Sequence, residues 1–263
     1  MLTFFGMNTV PFTREIEPAQ LFVSKTHTEA TARLAYTVAH RQVCLLTGEA
    51  GMGKTTIVRS FIRQMDQVRF QYEYICDSSL TPKSFYREIL ERFGLPPGTR
   101  PSEAKRQYQT LMLDLYEQDK KIPVIVIDEA HRLSEGMLQE LRFMLNFRED
   151  SMSPLALILV GQPSLRNQLR VKHMDAIDQR IQMRYQVSGL SEKETSTYIQ
   201  HQVRMVGSPQ EIFSEEAIRE IYHFSQGIPR KINTLCSQSL LDAFIQGTKI
   251  VGESHVHRAI NEL

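Results

Sequence analysis

The stretch GEAGMGKTT, residues 48–56, decides the fold. Gly48, four intervening residues and then Gly53-Lys54-Thr55 reproduce the spacing of a phosphate-binding loop. An apolar strand, VCLLT (43–47), is expected to run straight into it, and an amphipathic helix, KTTIVRSFIRQM, to lead out. Strand, glycine loop and helix in that order supply what a phosphate needs. Backbone N–H groups converge on one point, and the helix N-terminus adds positive potential. Gly48, Glu49, Ala50, Gly51, Met52, Gly53, Lys54, Thr55 and Thr56 are therefore read as nucleotide-binding. Lys54 is expected to reach the β- and γ-phosphates, and the Thr55 hydroxyl to ligate Mg2+.

Outward from the loop, short apolar runs alternate with amphipathic helices, which predicts βαβ units and a parallel sheet. FQYEYI (70–75), IPVIVIDEA (122–130), LALILVG (155–161) and MRYQV (183–187) complete five strands with VCLLT. The 122–130 run is apolar on both faces, as an interior strand requires. Helices are expected at 84–94, at 102–118 with Ser-Glu capping at its start, and at 134–147, with a charge-rich helical stretch over 163–181. LPPGTRP (95–101) is too rich in proline for regular structure. After Ser188 the strand signal stops, and the sequence reads as three amphipathic helices and a short last one. The expectation is an α/β core over 1–188, including an N-terminal segment 1–40, followed by an all-α lid over 189–263. Internal repeats and low-complexity tracts are absent.

IVIDEAH (125–131) carries the other half of the site. Asp128, ending an apolar strand, is expected to hold Mg2+ through water. Glu129 is expected to polarise the attacking water as a general base. His131 has no His or Cys partner at ligand spacing and is read as a local polar positioning residue rather than a metal ligand. Gln162 ends the next strand, beside the expected γ-phosphate. Phosphoryl transfer also needs a cation for the charge that develops at the γ-phosphate. Arg180 precedes the last strand, on the far side of the sheet from Lys54, where it faces a neighbouring subunit's nucleotide better than its own. Arg184 is its competitor, and an ordinary ion pair is the alternative for both. Arg230, in SQGIPRKIN, opens a helix of the lid and is expected to touch the γ-phosphate, with Lys231 as the fallback.

Composition limits the classes open to the chain. Among 263 residues, 31 are Lys or Arg and 30 Asp or Glu, for a net charge of +1. Coating nucleic acid by bulk charge is therefore excluded, and any such contact must come from local clusters. No apolar run reaches the length of a membrane span, and the N-terminus lacks the features of a signal peptide. Cys44, Cys76 and Cys236 show no metal spacing and read as thiols of a reducing cytosol, two of them buried in strand-like runs. A cytoplasmic chain with no membrane contact is expected.

GEAGMGKT, VIVIDEAH, a strand ending LVGQP, an arginine ahead of the fifth strand and GIPRKIN in a helical lid together resemble an AAA+ ATPase. Within that superfamily the chain resembles the ExeA/GspA-like group over its full length, including Phe4, Phe5, Gly6, Pro11 and Phe12 of the N-terminal FFG…PF segment. That group includes secretion-associated ATPases and ATPases similar to the TnsC, TniB and IstB transposition regulators. The resemblance implies a P-loop core with a helical lid, ATP and Mg2+ as cofactors, and an ATP-dependent homo-oligomer, ring or filament. It makes Arg180 the finger acting in trans, Gln162 sensor 1 and Arg230 sensor 2. Pro11 and Phe12 would flank the adenine, or staple the segment to the core. The transposition regulators assemble on duplex DNA and engage a transposase. Such secretion ATPases carry a membrane span and a wall-binding domain after the lid, and the end of this chain at Leu263 favours the DNA-acting branch as an expectation. Two clusters could meet DNA phosphates without reading sequence: Lys105 and Arg106 near Arg100, and Arg166 and Arg170 near Lys172. A solvated helix face is the alternative for each.

Overall fold

The computed structural model describes residues 1–13, 20–77, 79–208 and 211–263. In chain order, α1 (Leu2–Phe5) and α2 (Lys25–Ala39) precede β1 (Val43–Thr47), α3 (Lys54–Gln64) and β2 (Phe70–Ile75). Next come α4 (Pro82–Arg92), α5 (Pro101–Glu117), β3 (Ile122–Ile127), α6 (Glu135–Met144) and β4 (Ala156–Gly161). The chain continues through α7 (Ser164–Leu169), α8 (Asp175–Asp178) and β5 (Ile181–Gln186). The helices α9 (Glu192–Met205), α10 (Glu215–Ser225), α11 (Pro229–Ile245) and α12 (Glu253–Asn261) follow.

The five strands form one parallel sheet in the order β2-β3-β4-β1-β5. β1, β3 and β4 are buried along their whole length, as their uninterrupted Val, Ile and Leu runs require between two helical layers. β5 lies at an edge and is only half-buried. It begins two residues before the expected start, because Ile181 pairs with Val43 and the Gln182 side chain accepts the Val43 N–H at 2.9 Å. The α/β core includes Phe85, Tyr108, Met112, Ile125 and Leu157, none with measurable exposure. Each such side chain contributes about 1.5–3 kcal/mol by leaving water. The Tyr108 hydroxyl donates to the Met144 carbonyl at 3.2 Å, so a polar atom in this core is satisfied.

Helix starts follow local chemistry. Thr81 and Ser84 form a reciprocal capping box at α4, with Pro82 in its first turn. At α5 the cap is Arg100, whose N–H donates to the Glu103 carboxylate at 3.2 Å, so Ser102 does not have the capping role expected of it. Residues 84–94 and 134–147 are helical over shorter or shifted spans, 82–92 and 135–144. α2 was not anticipated from sequence, yet Ala30, Leu34 and Val38, four residues apart, form its buried stripe.

The chain divides into two compact units. One comprises Glu29–Ala50 and Lys54–Val187, and holds the sheet. The other comprises Met1–Thr28, Gly51–Gly53 and Ser188–Leu263. The N-terminal 28 residues therefore group with the helical unit, where the sequence placed them with the core. The cause is visible in the packing: Phe5, Met7 and Phe12 are buried in one cluster with Phe213, Ile232 and Leu235. Residues 14–19, within the N-terminal segment, lie outside the described residues. In this unit α9 starts with a Ser191–Glu194 capping box and α10 with Ser214 accepting the Ala217 N–H at 3.2 Å.

Cys44 and Cys236 are buried and Cys76 is exposed. The sequence put the buried pair in strand-like runs; Cys76 escapes burial because β2 ends at Ile75, and Cys236 is buried in α11 instead. Among the described residues no helix is long and apolar enough to cross a membrane.

Candidate nucleotide site

β4 lies between β1 and β3, so the C-terminal ends of three adjacent parallel strands meet at one edge of the sheet. The glycine loop follows β1, Asp128 follows β3 and Gln162 follows β4. Open α/β sheets bind ligands at this edge. The Gly48 N–H donates to the Gly161 carbonyl at 3.2 Å, tying the loop's first residue to the end of β4. A Cβ on Gly48 would stand 3.0 Å from the Val187 carbonyl oxygen, so the close approach excludes a side chain. Gly51 has φ +86°, a left-handed value that glycine adopts without strain.

Lys54, the first residue of α3, is buried, and its ammonium donates to the carbonyls of Gly48 at 2.8 Å and Glu49 at 3.0 Å. The lysine charge is thus held inside the loop's curve, at a helix N-terminus. The next residue, Thr55, donates its hydroxyl to Asp128 Oδ2 at 2.7 Å. Tyr74 on β2 donates its hydroxyl to the same oxygen, and the Glu129 N–H donates to Oδ1 at 2.8 Å. Burial and the Asp128 charge push the Tyr74 phenol up, which keeps it a donor. A hydroxyl and a carboxylate in contact are the hard oxygen ligands Mg2+ takes, so Thr55 and Asp128 fit that ion.

Glu129 leaves the strand in the left-handed region, φ 54°, ahead of a single 3-10 turn, Ala130–Arg132. Non-glycine residues held there cost roughly 1–3 kcal/mol and cluster at functional sites. The turn leaves the Glu129 side chain 42% exposed at the strand edge. His131 Nε2 stands 3.7 Å from Glu129 Oε2, and His131 Nδ1 faces the Gln162 N–H at 3.4 Å. The structure therefore brings together Lys54, Thr55, Asp128, Glu129 and Gln162 within the sheet unit.

The two arginines near β5 lie elsewhere. Arg180 precedes β5 and so stands at the opposite edge of the parallel sheet. Its guanidinium grips Asp150 with two bonds of 2.5 Å, which hold the Asp150 carboxyl below the usual carboxylate range. Arg184 is bound by Asp178, at 2.9 Å to the side chain and 2.7 Å to the carbonyl. In the helical unit Arg230 is exposed in the first turn of α11, its N–H directed at the Gly51 carbonyl at 3.3 Å. Lys231 rests over the Phe224 ring at 5.8 Å. Pro11 and Phe12 are buried, and the Phe12 ring lies edge-on to Phe213 at 6.0 Å, within the helical unit.

Of the four cations assigned to DNA, Arg106 and Arg170 are exposed. Lys105 is occupied by Glu140 at 2.7 Å and by the Phe143 ring at 4.7 Å, and Arg166 donates to the Gln186 side chain at 2.8 Å. Tyr74 and Asp150 were missed by the sequence reading. Tyr74 was findable, because it precedes the last residue of β2, the strand beside the one that Asp128 follows. Asp150 was not, since its pairing with Arg180 spans 30 residues and rests on a loop.

Comparison with known proteins bears on family and fold. Residues 37–169, half of the chain, match the AAA domain family. The chain is similar to the General secretion pathway protein A of Aeromonas hydrophila, 32% identical over 268 residues. That match covers 99% of this chain but 48% of the relative, so the chain spans about half the relative's length. Among solved structures it resembles the Aeropyrum pernix ORC2 protein in its ADPNP-ADP complexes, with TM-score 0.67, 17% identity, and coverage of 95% of this chain and 70% of that one. It also resembles the Thermotoga maritima RuvB Holliday junction branch migration motor, with TM-score 0.58, 17% identity, and coverage of 92% and 70%. At such identities the two structures establish the P-loop AAA+ fold and nothing further.

Proposed function

Because the chain belongs to the AAA domain family, we propose that it is an ATP-hydrolysing AAA+ subunit that assembles on duplex DNA and regulates transposition by engaging a transposase. The observation that carries the enzymatic part is the cluster of Lys54, Thr55, Asp128 and Glu129 at one edge of the sheet. Lys54 and the loop N–H groups bind and orient the phosphates. Thr55 and Asp128 would hold Mg2+, which supplies charge neutralisation at the phosphates when bound. Glu129 takes the proton of the attacking water, and Gln162 faces the γ-phosphate from the end of β4.

Arg180 supports assembly. It stands at the sheet edge opposite its own loop, so a phosphate within its reach belongs to another copy. Arg230 and the glycine loop would couple the helical unit to nucleotide state. The DNA reading is supported by the exposed Arg106 and Arg170, and by the resemblance of the quoted motifs to transposition regulators. A second reading, an ATPase of secretion or envelope assembly, is favoured by the identity to the General secretion pathway protein A across nearly the whole chain.

Sedimentation of the purified protein with duplex DNA, comparing a non-hydrolysable ATP analogue, ADP and no nucleotide, separates them. Large DNA-bound assemblies with the analogue alone, lost in Arg180→Ala, are expected. Assemblies that ignore DNA in every condition would overturn the DNA reading in favour of the secretion-type machine. An absence of ATP turnover in the wild type, with or without DNA, would overturn the enzymatic one.

A further inference from the structure

The DEAH sequence ends in a histidine that nucleotide chemistry as described above does not use. His131 sits in the 3-10 turn after Glu129, with its side chain 12% exposed. Its ring spans two residues of the site. On one side the Gln162 backbone N–H points at Nδ1, 3.4 Å away. A backbone N–H can only donate, so Nδ1 must be the acceptor, and a neutral ring then carries its proton on Nε2. On the other side Nε2 lies 3.7 Å from Glu129 Oε2, so the N–H that this tautomer creates faces the carboxylate. The turn itself is held in place: the Gln168 side chain donates to the His131 carbonyl at 3.1 Å, and the Arg132 N–H donates to the Glu129 carbonyl at 2.9 Å. A Cβ on Gly161 would meet the His131 backbone N at 3.2 Å, so the end of β4 is packed closely against this turn.

We propose that His131 is a positioning residue for hydrolysis, which through Nε2–H orients the Glu129 carboxylate toward water and which takes its own orientation from the Gln162 backbone at the end of β4. The inference rests on the reading of Glu129 as the residue that activates water. Glu129 has a side chain 42% exposed and a left-handed backbone, so rotamers that point away from a phosphate are open to it; an Nε2–H 3.7 Å from one oxygen favours those that face the ring. Because the ring is set by the backbone of Gln162, a shift of the β4 end when its side chain meets a phosphate changes where Nε2–H points.

The test compares three substitutions with Glu129→Gln, reading steady-state hydrolysis and, separately, fluorescent-nucleotide affinity. His131→Ala removes both contacts. His131→Asn keeps an acceptor near Nδ1 and loses Nε2, whereas His131→Gln places an amide N–H near Nε2. General acid–base groups contribute about 10²–10⁴-fold to rate, and losing the orientation of one should cost a sizeable part, about tenfold or more in kcat. His131→Ala and His131→Asn are expected to show that loss with nucleotide affinity within about twofold of wild type, and His131→Gln to recover most of it. Nitrogen chemical shifts of labelled histidine in the wild-type protein are expected to report the Nε2–H tautomer, a readout independent of turnover. Near-normal kcat in His131→Ala beside an inactive Glu129→Gln would overturn the proposal. So would rescue by Asn and not by Gln, an Nδ1–H tautomer, or loss of nucleotide affinity in all three variants, which marks a structural role. Full hydrolysis by Glu129→Gln would instead overturn the reading of Glu129 on which the proposal rests.

Discussion

Asp128 receives three donors, and two of them, the hydroxyls of Thr55 and Tyr74, share Oδ2. A cation approaching that oxygen must compete with them. Tyr74→Phe removes one hydrogen bond to a charged acceptor, a kind worth about 1.5–3 kcal/mol, but leaves the other two donors, so a stability loss near ~1 kcal/mol is expected without ligand. With Mg2+ and ADP present the loss should shrink, because the metal relieves the same carboxylate. Thermal unfolding of both proteins with and without Mg2+-ADP checks this; an undiminished gap would mean that the phenol keeps its bond in the liganded state. The thiols offer a second residue-scale test. Burial pushes the Cys44 thiol up to about 12 and the Cys236 thiol well above its ordinary value, while Cys76 is exposed. Thiolates are the reactive form, so at pH 8 a disulfide reagent should titrate a single thiol per native chain and all 3 after denaturation. A second fast thiol in the native protein would contradict the packing around β1 or α11.

At the scale of elements, the turn between α6 and β4 stands out. Arg148, Glu149 and Asp150 follow one another at φ 48°, 54° and 68°, three left-handed non-glycine residues in succession. Arg148 is paired with Glu117 and Asp150 with Arg180, so ion pairs hold the turn where backbone preference does not. If Arg180 acts on a neighbouring nucleotide, Asp150 is its competitor within the chain. Asp150→Ala should then lower the protein concentration at which the ATP analogue drives assembly, measured by light scattering. Its effect on folding should stay below about 1 kcal/mol, the usual limit for an exposed pair. The Asp150 carboxyl is held low, so the pair is intact at neutral pH. Its contribution is present above the ordinary carboxylate range and lost as pH falls through the lowered value. Assembly requiring the same concentration in the variant would show that Asp150 does not restrain the arginine. This turn also marks where sequence stops being informative. β1 and β2 were legible to the residue, because a continuous apolar run or a β-branched and aromatic one has few other uses. The nucleotide motifs were legible because glycine spacing fixes backbone geometry locally. The α2 stripe was overlooked behind its threonines, and the placement of Met1–Thr28 depends on Phe5, Met7 and Phe12 finding Phe213 and its neighbours, a tertiary choice that local pattern does not encode.

For the whole molecule, the near balance of 31 basic and 30 acidic residues constrains how DNA can be held. Non-specific affinity comes from releasing counterions, with log K falling against log salt at a slope near −0.9 per phosphate neutralised. Of the four cations assigned to DNA, Lys105 and Arg166 are engaged by side chains of the chain itself, which leaves for phosphates Arg106, whose Nε donates to the Ser102 carbonyl at 3.3 Å, and Arg170. One or two phosphate contacts per chain would be lost at physiological salt, whereas the same contacts repeated through an assembly would survive it. DNA binding should therefore appear only where assembly does. In titrations of labelled duplex at fixed ATP analogue, the midpoint in protein concentration should coincide with that of assembly, and ADP should abolish both together. The salt slope should scale with the number of subunits bound, and Arg106→Ala with Arg170→Ala should flatten it by about 1–2 for each subunit on the duplex. Tight DNA binding at concentrations where the protein sediments as a monomer would break this link, since it would require a field that a chain of net charge +1 does not possess.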